Sequence, residues 1–515
     1  MIEQGGVADF VAYHAARTPA KMACAEFASG RRFTYRAFDR RIDACARFLT
    51  ETLGQASGER VAMLSRNSAD VLVLYLACVR AGAIFQPLNW RLTAPELAIL
   101  AEDAAPRLLV HHADFDAVAE ALSPTLNGAV TVRIAADADG FQAALDQAGA
   151  IAPIPLSADA PSLLLYTSGT TGRPKGVIVT ARNAFFNCLN FGQAVDLGAE
   201  AVMVCDMPMF HVVGLFAASI ALLFHGGSVL ISEQFDAAVT LERLSDPALG
   251  VTHYFAVPQM VQRLYDHPTR PGVDFSRLKA FCTGGAPIAP AILEPWLTLG
   301  VPLVDGFGMS EIGTGMCMPP SDPARLLAKI GSCGLPAMTT QMRLVTADGR
   351  EADAREVGEL WVCGPNVSPG YWNRPDATAS AFQDGWLKTG DAAWRDEDGF
   401  YFLVDRLKDM YISGGENVYP AEVEAALLEL EGVCEAAVIG TPDPQWGESG
   451  VAFIVGRIET AQLTEAVVLD HCRARLARYK APRRLIFIDA LPRTASGKVQ
   501  KHLLRERAMQ AQQRS

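Results

Sequence analysis

The chain has 515 residues, half of them apolar, which is too long for one ordinary core and too apolar for disorder, so at least two globular domains are expected. Its 45 basic and 57 acidic residues leave a formal charge of -12, which repels phosphate backbones and excludes nucleic acid as a general partner. The 11 cysteines are scattered without a Cys-x-x-Cys pair or zinc spacing, and neither a signal peptide nor an apolar run of membrane-spanning length is visible; reduced core thiols and a cytoplasmic compartment are expected.

Taken in chain order, residues 60–64 read as a strand, 69–80 as a helix and 82–87 as the next strand and its turn, the rhythm of an α/β fold. The apolar run 162–165 then empties into Tyr166-Thr167-Ser168-Gly169-Thr170-Thr171-Gly172-Arg173-Pro174-Lys175-Gly176-Val177. Glycines let the backbone turn its N–H groups toward an anion, the hydroxyls add neutral donors and Lys175 adds a point charge, a composition suited to phosphate. A Walker A loop is excluded, because that motif follows its lysine with Ser or Thr at a helix start, whereas Pro174 and Gly176 flank Lys175. Apolar segments at 201–205, 215–224, 227–231, 250–256 and 278–282 continue the pattern and predict mostly parallel, buried sheets. From about residue 342 the period changes to alternation between the turns Asp348-Gly349 and Asp398-Gly399, which predicts a small antiparallel β unit. A linker is expected at 405–409, followed by a domain whose first helix starts at Pro420. Residues 473–507 carry 11 Lys and Arg against Asp489 and Glu506, a basic segment that suits a phosphorylated ligand or a solvated face.

A second chemistry-bearing block is Val304-Asp305-Gly306-Phe307-Gly308-Met309-Ser310-Glu311-Ile312-Gly313. Phe307 offers a stacking surface, and Glu311 offers either a carboxylate for Mg2+ or an ordinary helix N-terminal charge. Further blocks are Trp386 to Asp391, Asp405 to Pro420 and Leu491 to Val499.

In this order, and over nearly the whole chain, the blocks resemble the adenylate-forming superfamily of acyl- and aryl-CoA synthetases, peptide-synthetase adenylation domains and firefly luciferases. Pattern and resemblance together imply an α/β fold: a large N-terminal domain, 1–404, of two mostly parallel sheets with helices plus a small β unit, and a small mobile α+β C-terminal domain, 405–515, hinged near Lys408. The resemblance implies ATP, Mg2+ and CoA as ligands. It places Thr167, Ser168, Gly169, Thr170, Thr171, Gly172 and Lys175 on the phosphates, and Asp305, Gly306, Phe307, Gly308 and Ser310 along the nucleotide, with Phe307 on adenine and Glu311 on Mg2+. Gly284, Gly285, Ala286 and Pro287 border adenine and the acyl group, Asp391 and Arg406 take the ribose, and Lys498 is the catalytic lysine. Gly414 and Gly415 belong to the cofactor-binding blocks; Trp446 lines the pantetheine path, and Tyr479, Lys480 and Arg483 lie where relatives contact the CoA nucleotide. His211 matches a gate or pocket wall between acid and thiol.

The pocket positions the resemblance implies are Val212, Val213, Met309, Ile312 and Gly313 beside Gly284 and Gly285, apolar or without side chains. They favour a hydrophobic monocarboxylate, aliphatic or cinnamate-like, over a dicarboxylate or an amino acid. An acyl-AMP ligase that loads a carrier protein and a catalytically silent adenylate-binding protein stay open as alternatives, as does a homo-oligomer.

Overall fold

The computed structural model describes residues 9–134, 141, 145, 157–167, 174–456, 463–494 and 498–513. One sheet orders its strands Val130–Ile134, Leu108–His112, Arg60–Leu64, Ile84–Leu88, Pro161–Thr167 and Lys175–Thr180, parallel except for the last pair. All five residues of Ile84–Leu88 are buried, as expected for a strand covered by helices on both faces. The helix Ala69–Ala81 is buried nearly all round and stops at Gly82, whose left-handed conformation (φ 71°) caps it.

A second sheet holds nine strands among the described residues. Its parallel centre comprises Leu303–Met309, Ala280–Thr283, His253–Ala256, Val202–Cys205, Ser228–Ile231 and Met22–Glu26, with short antiparallel strands at both edges. Beyond it lies an antiparallel unit of Gln341–Val345, Gly358–Cys363, Phe382–Gln383, Trp386–Arg395 and Tyr401–Arg406. The region from Tyr411 onward forms a further sheet around the long antiparallel pair Val433–Asp443 and Gly447–Gly456, packed by the helices Pro420–Leu428, Glu465–Arg475 and Lys501–Gln513. Proline opens the first of these helices, where its missing N–H is harmless. No helix among the described residues is long and apolar enough to cross a membrane.

The apolar segment 215–224 is helical, but mostly not α-helical: Val213–Ile220 is a π-helix, and only Ala221–Phe224 has α geometry. Gly214 sits against the preceding turn so closely that a Cβ there would lie 2.2 Å from the Pro208 carbonyl oxygen. The Gly214 carbonyl accepts from Ser219 Oγ at 2.8 Å and from Cys205 Sγ at 3.5 Å, side-chain bonds that occupy an acceptor within the widened turn. Two ionic features matter below. Arg80, whose side chain is 5 % exposed, reaches Asp9 at 2.7 Å, Asp39 at 2.5 Å and Asp43 at 2.6 Å, and also donates to the Asp39 carbonyl. At the start of the C-terminal region, Asp405 accepts from the Ala421 N–H at 2.7 Å, and Asp409 pairs with Arg505 at 2.7 Å, on either side of an exposed turn containing Lys408.

Candidate active site

Asp391 and Arg406 face each other in the register of two antiparallel strands, and Arg406 Nε lies 2.5 Å from Asp391 Oδ1. The second carboxylate oxygen, Oδ2, is buried without a hydrogen-bond partner. An unmet buried acceptor is costly unless a ligand completes it, and a sugar hydroxyl is a donor of the required kind. Burial raises the Asp391 carboxyl above its ordinary value, against the opposing pull of Arg406 and Lys498. Lys498 belongs to the same charge cluster: its residue keeps solvent contact, yet desolvation and then Arg406 hold its ammonium below the usual lysine value, while Asp391 and Glu311 oppose them. Lys498 is fixed at the base of a hairpin, where its N–H donates to Thr494 Oγ1 and its carbonyl accepts from the Thr494 N–H.

Glu311 is buried in the turn between the antiparallel strands Leu303–Met309 and Gly313–Cys317, not at a helix start. Its Oε1 accepts from the Tyr371 hydroxyl at 2.9 Å, and Lys175 Nζ lies 5.2 Å from the centre of the same ring. Tyr371 thus joins the cation of the glycine-rich loop to the carboxylate of the second block. Residues 370–372 pair with the strand leaving that loop, through the bridge between Val177 and Tyr371 and the bond from the Trp372 N–H to the Gly176 carbonyl. Thr167 and Lys175 are register partners at the mouth of the loop, whereas Ser168, Gly169, Thr170, Thr171 and Gly172 lie outside the described residues. A single carboxylate with neutral donors around it suits a hard cation that arrives with phosphate oxygens, so the residues fit Mg2+ carried by a nucleotide.

His211 has its Nε2 buried without a partner, and its ring lies 4.6 Å from that of Phe210. Desolvation, followed by Lys498 and Arg91, pushes its pKa down to about 3, so the imidazole is neutral at physiological pH. Val179, Val212, Phe216 and Gly313 border a small cavity together with the polar Asn183, Asn187, Ser310, Glu311, Asn366 and Ser368. Asn187 Oδ1 accepts from the Thr314 N–H, and any side chain at Gly313 would collide with the Asn187 amide. Phe307 is 8 % exposed and Ile312 fully buried; both belong to one core cluster, with Met309 packed against it. Val213 packs on the central core. Asp305 turns to its own Gly306 N–H and to Cys333, and burial raises its pKa to about 7. A Cβ would lie 2.7 Å from the Gly306 carbonyl at Gly284 and 2.3 Å from the Gly313 carbonyl at Gly308, so both positions require glycine. Gly285 has φ +84°, followed by partly exposed Ala286 and exposed Pro287.

Trp446, Gly414 and Arg483 form a separate group on the C-terminal region. The indole lies on Gly414, and the Arg483 guanidinium lies 4.9 Å from the ring centre. Gly414 and Gly415 turn the short hairpin between Tyr411–Ser413 and Glu416–Val418. Lys480 is paired with Glu422 at 2.7 Å, and Tyr479 packs on the local core.

This combination of fold and charge cluster is that of an acid–thiol ligase of the AMP-forming class, which joins a carboxylic acid to CoA through an acyl-adenylate using ATP and Mg2+. Residues 11–372 match the AMP-binding enzyme family and residues 422–498 match its C-terminal domain, and the chain belongs to that family. It is 39 % identical to a feruloyl-CoA synthase from an Amycolatopsis species, over 93 % of this chain and 94 % of the relative. It is 34 % identical to the long-chain-fatty-acid–CoA ligase FadD13 of Mycobacterium tuberculosis, over 95 % and 96 %. ATP-bound MatB from Rhodopseudomonas palustris superposes with a TM-score of 0.88 at 33 % identity, covering 97 % of this chain and 98 % of that one.

Proposed function

We propose that the acid is an apolar monocarboxylate with a cinnamate-like aromatic body, with aliphatic acids of similar size as weaker substrates. The similarity to feruloyl-CoA synthase supports the aromatic body, and the apolar side chains of Val212 and Phe216 at the small cavity beside Glu311 are compatible with it. A second charge on the acid would meet a neutral His211 and no arginine among these wall residues, which disfavours dicarboxylates.

In the first half-reaction the acid's carboxylate oxygen attacks the α-phosphorus of ATP, and the bond to the pyrophosphate oxygen breaks. Lys498 offsets the charge that builds on the phosphoryl oxygens, and Lys175 with the glycine-rich loop holds the leaving phosphates. Asp391 and Arg406 hold the ribose; the observation that carries this reading is the buried, unpartnered Oδ2 of Asp391 within the Arg406–Lys498 cluster. Glu311 would hold Mg2+, which neutralises phosphate charge when bound. In the second half-reaction the CoA sulfur attacks the acyl carbonyl and AMP leaves. Residues 405–515 act as a mobile unit that turns about Lys408 to withdraw Lys498 and bring Trp446 and Arg483 toward the CoA. His211 serves as a neutral wall between acid and thiol.

The test is ATP-dependent AMP release and thioester formation across ferulic, cinnamic, decanoic, malonic and amino acids, with CoA and a phosphopantetheinylated carrier protein compared as acceptors. Ferulate or cinnamate with CoA should give the highest kcat/KM. A best rate with malonate or an amino acid would refute the substrate assignment and leave the chemistry standing. Gly285 is strained for any side chain, so pocket filling is tested with Val212→Phe, which should penalise the bulkiest acids most.

A further inference from the structure

The hairpin that carries Lys498 is tied to the N-terminal region through one carboxylate. Arg493 and Val499 form an antiparallel bridge at its base, reinforced by the bond from the Gln500 N–H to the Pro492 carbonyl. Arg493 Nη2 pairs with Glu435 Oε2 at 2.9 Å, and the other oxygen, Oε1, accepts from Gln259 Nε2 at 3.1 Å. Glu435 stands on the strand Val433–Asp443 of the C-terminal region, whereas Gln259 stands in the first turn of the helix Pro258–Asp266 of the N-terminal region. That helix begins directly after Val257, whose Cγ1 lies 3.9 Å from where a Cβ of Gly285 would be. A short, directional path therefore runs from the floor of the proposed acid site, through Gln259 and Glu435, to the base of the Lys498 hairpin.

We propose that Gln259 is a positioning residue for Lys498: its amide engages Glu435 only when the C-terminal unit is docked for adenylation, and this bond biases the unit toward that orientation. The inference rests on the reading of Lys498 as the adenylation lysine. An amide donor suits a latch that must open in every cycle. A neutral donor to a carboxylate near the surface holds the unit lightly, whereas a cation at the same place would hold it more firmly and a carboxylate would repel it. A ligand or contact shifts such an equilibrium only by its difference in affinity for the two states, so changing the charge at position 259 should move the two half-reactions in opposite directions.

The experiment compares Gln259→Ala, Gln259→Glu and Gln259→Lys in the full-length enzyme. Adenylate formation is measured with ATP, Mg2+ and ferulic acid, with cinnamic and decanoic acids as replacements should ferulate not react; thioester formation is measured from preformed acyl-adenylate and CoA. Hydrogen exchange of residues 491–500 is followed without any acid. Gln259→Ala should lower kcat for adenylate formation about threefold to tenfold with KM for ATP little changed, leave thioester formation undiminished and raise exchange in the hairpin. Gln259→Glu should lose more, with added salt restoring part of the rate. Gln259→Lys should recover adenylate formation and slow thioester formation. Unchanged hairpin exchange in Gln259→Ala, or Glu and Lys variants that move the half-reactions the same way, would overturn the proposal. A wild-type enzyme that makes no adenylate from any of the acids would instead defeat the assignment of Lys498, with the exchange result still deciding whether Gln259 holds the hairpin.

Discussion

Arg80 and Arg406 are both partly or wholly buried arginines facing aspartates, and they serve different ends. Arg80 meets three carboxylates and a carbonyl, within a tight knot between the N-terminal segment and two helices. Arg406 meets one carboxylate, and that carboxylate keeps a buried oxygen without a partner. A completed cluster stabilises the fold, whereas an incomplete one reserves bonding capacity for something that arrives later. The presence of buried charge does not separate structure from function here; the unspent acceptor does.

The largest expected effect tests the completed side. Arg80→Leu should destabilise the fold by about 3–5 kcal/mol, toward the lower figure because the three carboxylates keep some water, with a lower Tm but unchanged turnover per folded molecule. On the incomplete side, Lys498→Ala should cost adenylate formation about 10²–10³ in rate and leave the thermal transition in place. Preformed acyl-adenylate with CoA should still react; an equal loss there would make Lys498 a general structural group. Asp391→Asn should raise KM for ATP by about tenfold to a hundredfold, as expected for hydrogen bonds to a charged acceptor. It should also erase the preference for ATP over 2′,3′-dideoxy-ATP that is expected of the wild type. Lys408→Pro should slow thioester formation alone, because fixing φ in the exposed turn hinders rotation but not the docked orientation.

The last expectation concerns pH. The folded-state pKa of His211, about 3, lies below its ordinary 6.5, so between those values the unfolded chain binds the extra proton. Stability then rises with pH up to about 6.5 and receives no further change from this group above it. Unfolding of His211→Phe followed from pH 4 to 7 should show a shallower acid-side slope than the wild type, and the adenylation rate should show no inflection from His211 near neutrality.

Much of the frame was legible because its signals are local. The run before Thr167, the glycines and lysine after it, the alternating strands from Gln341 and the proline at 420 each declare themselves within a dozen residues. Tyr371 was not legible, since nothing in its neighbours shows that it will stand between Lys175 and Glu311, 60 positions from the latter. The path from Gln259 to Arg493 was hidden for the same reason. The apolar residues of the second block are ambiguous in a different way. Phe307 and Met309 sit two apart on one strand, so the same face that reads as a ligand wall is the face that meets the core cluster containing Ile312. Hydrophobicity shows that a residue is turned inward, without distinguishing a pocket from a packed interior.

The π-helix after His211 escaped notice because a segment apolar on every side carries no period from which to read its winding. Its geometry has a consequence for variation by insertion and deletion. A π turn holds about one more residue than an α turn, so removing a single residue between Leu215 and Ile220 would let the segment relax to ordinary pitch and absorb the loss, with little change in the phase of what precedes it. His211 and Val212 would then keep their facing although the chain is one residue shorter. The eight-residue segment is thus a place where chain length can shrink by one residue while the wall proposed for His211 and Val212 keeps its aim.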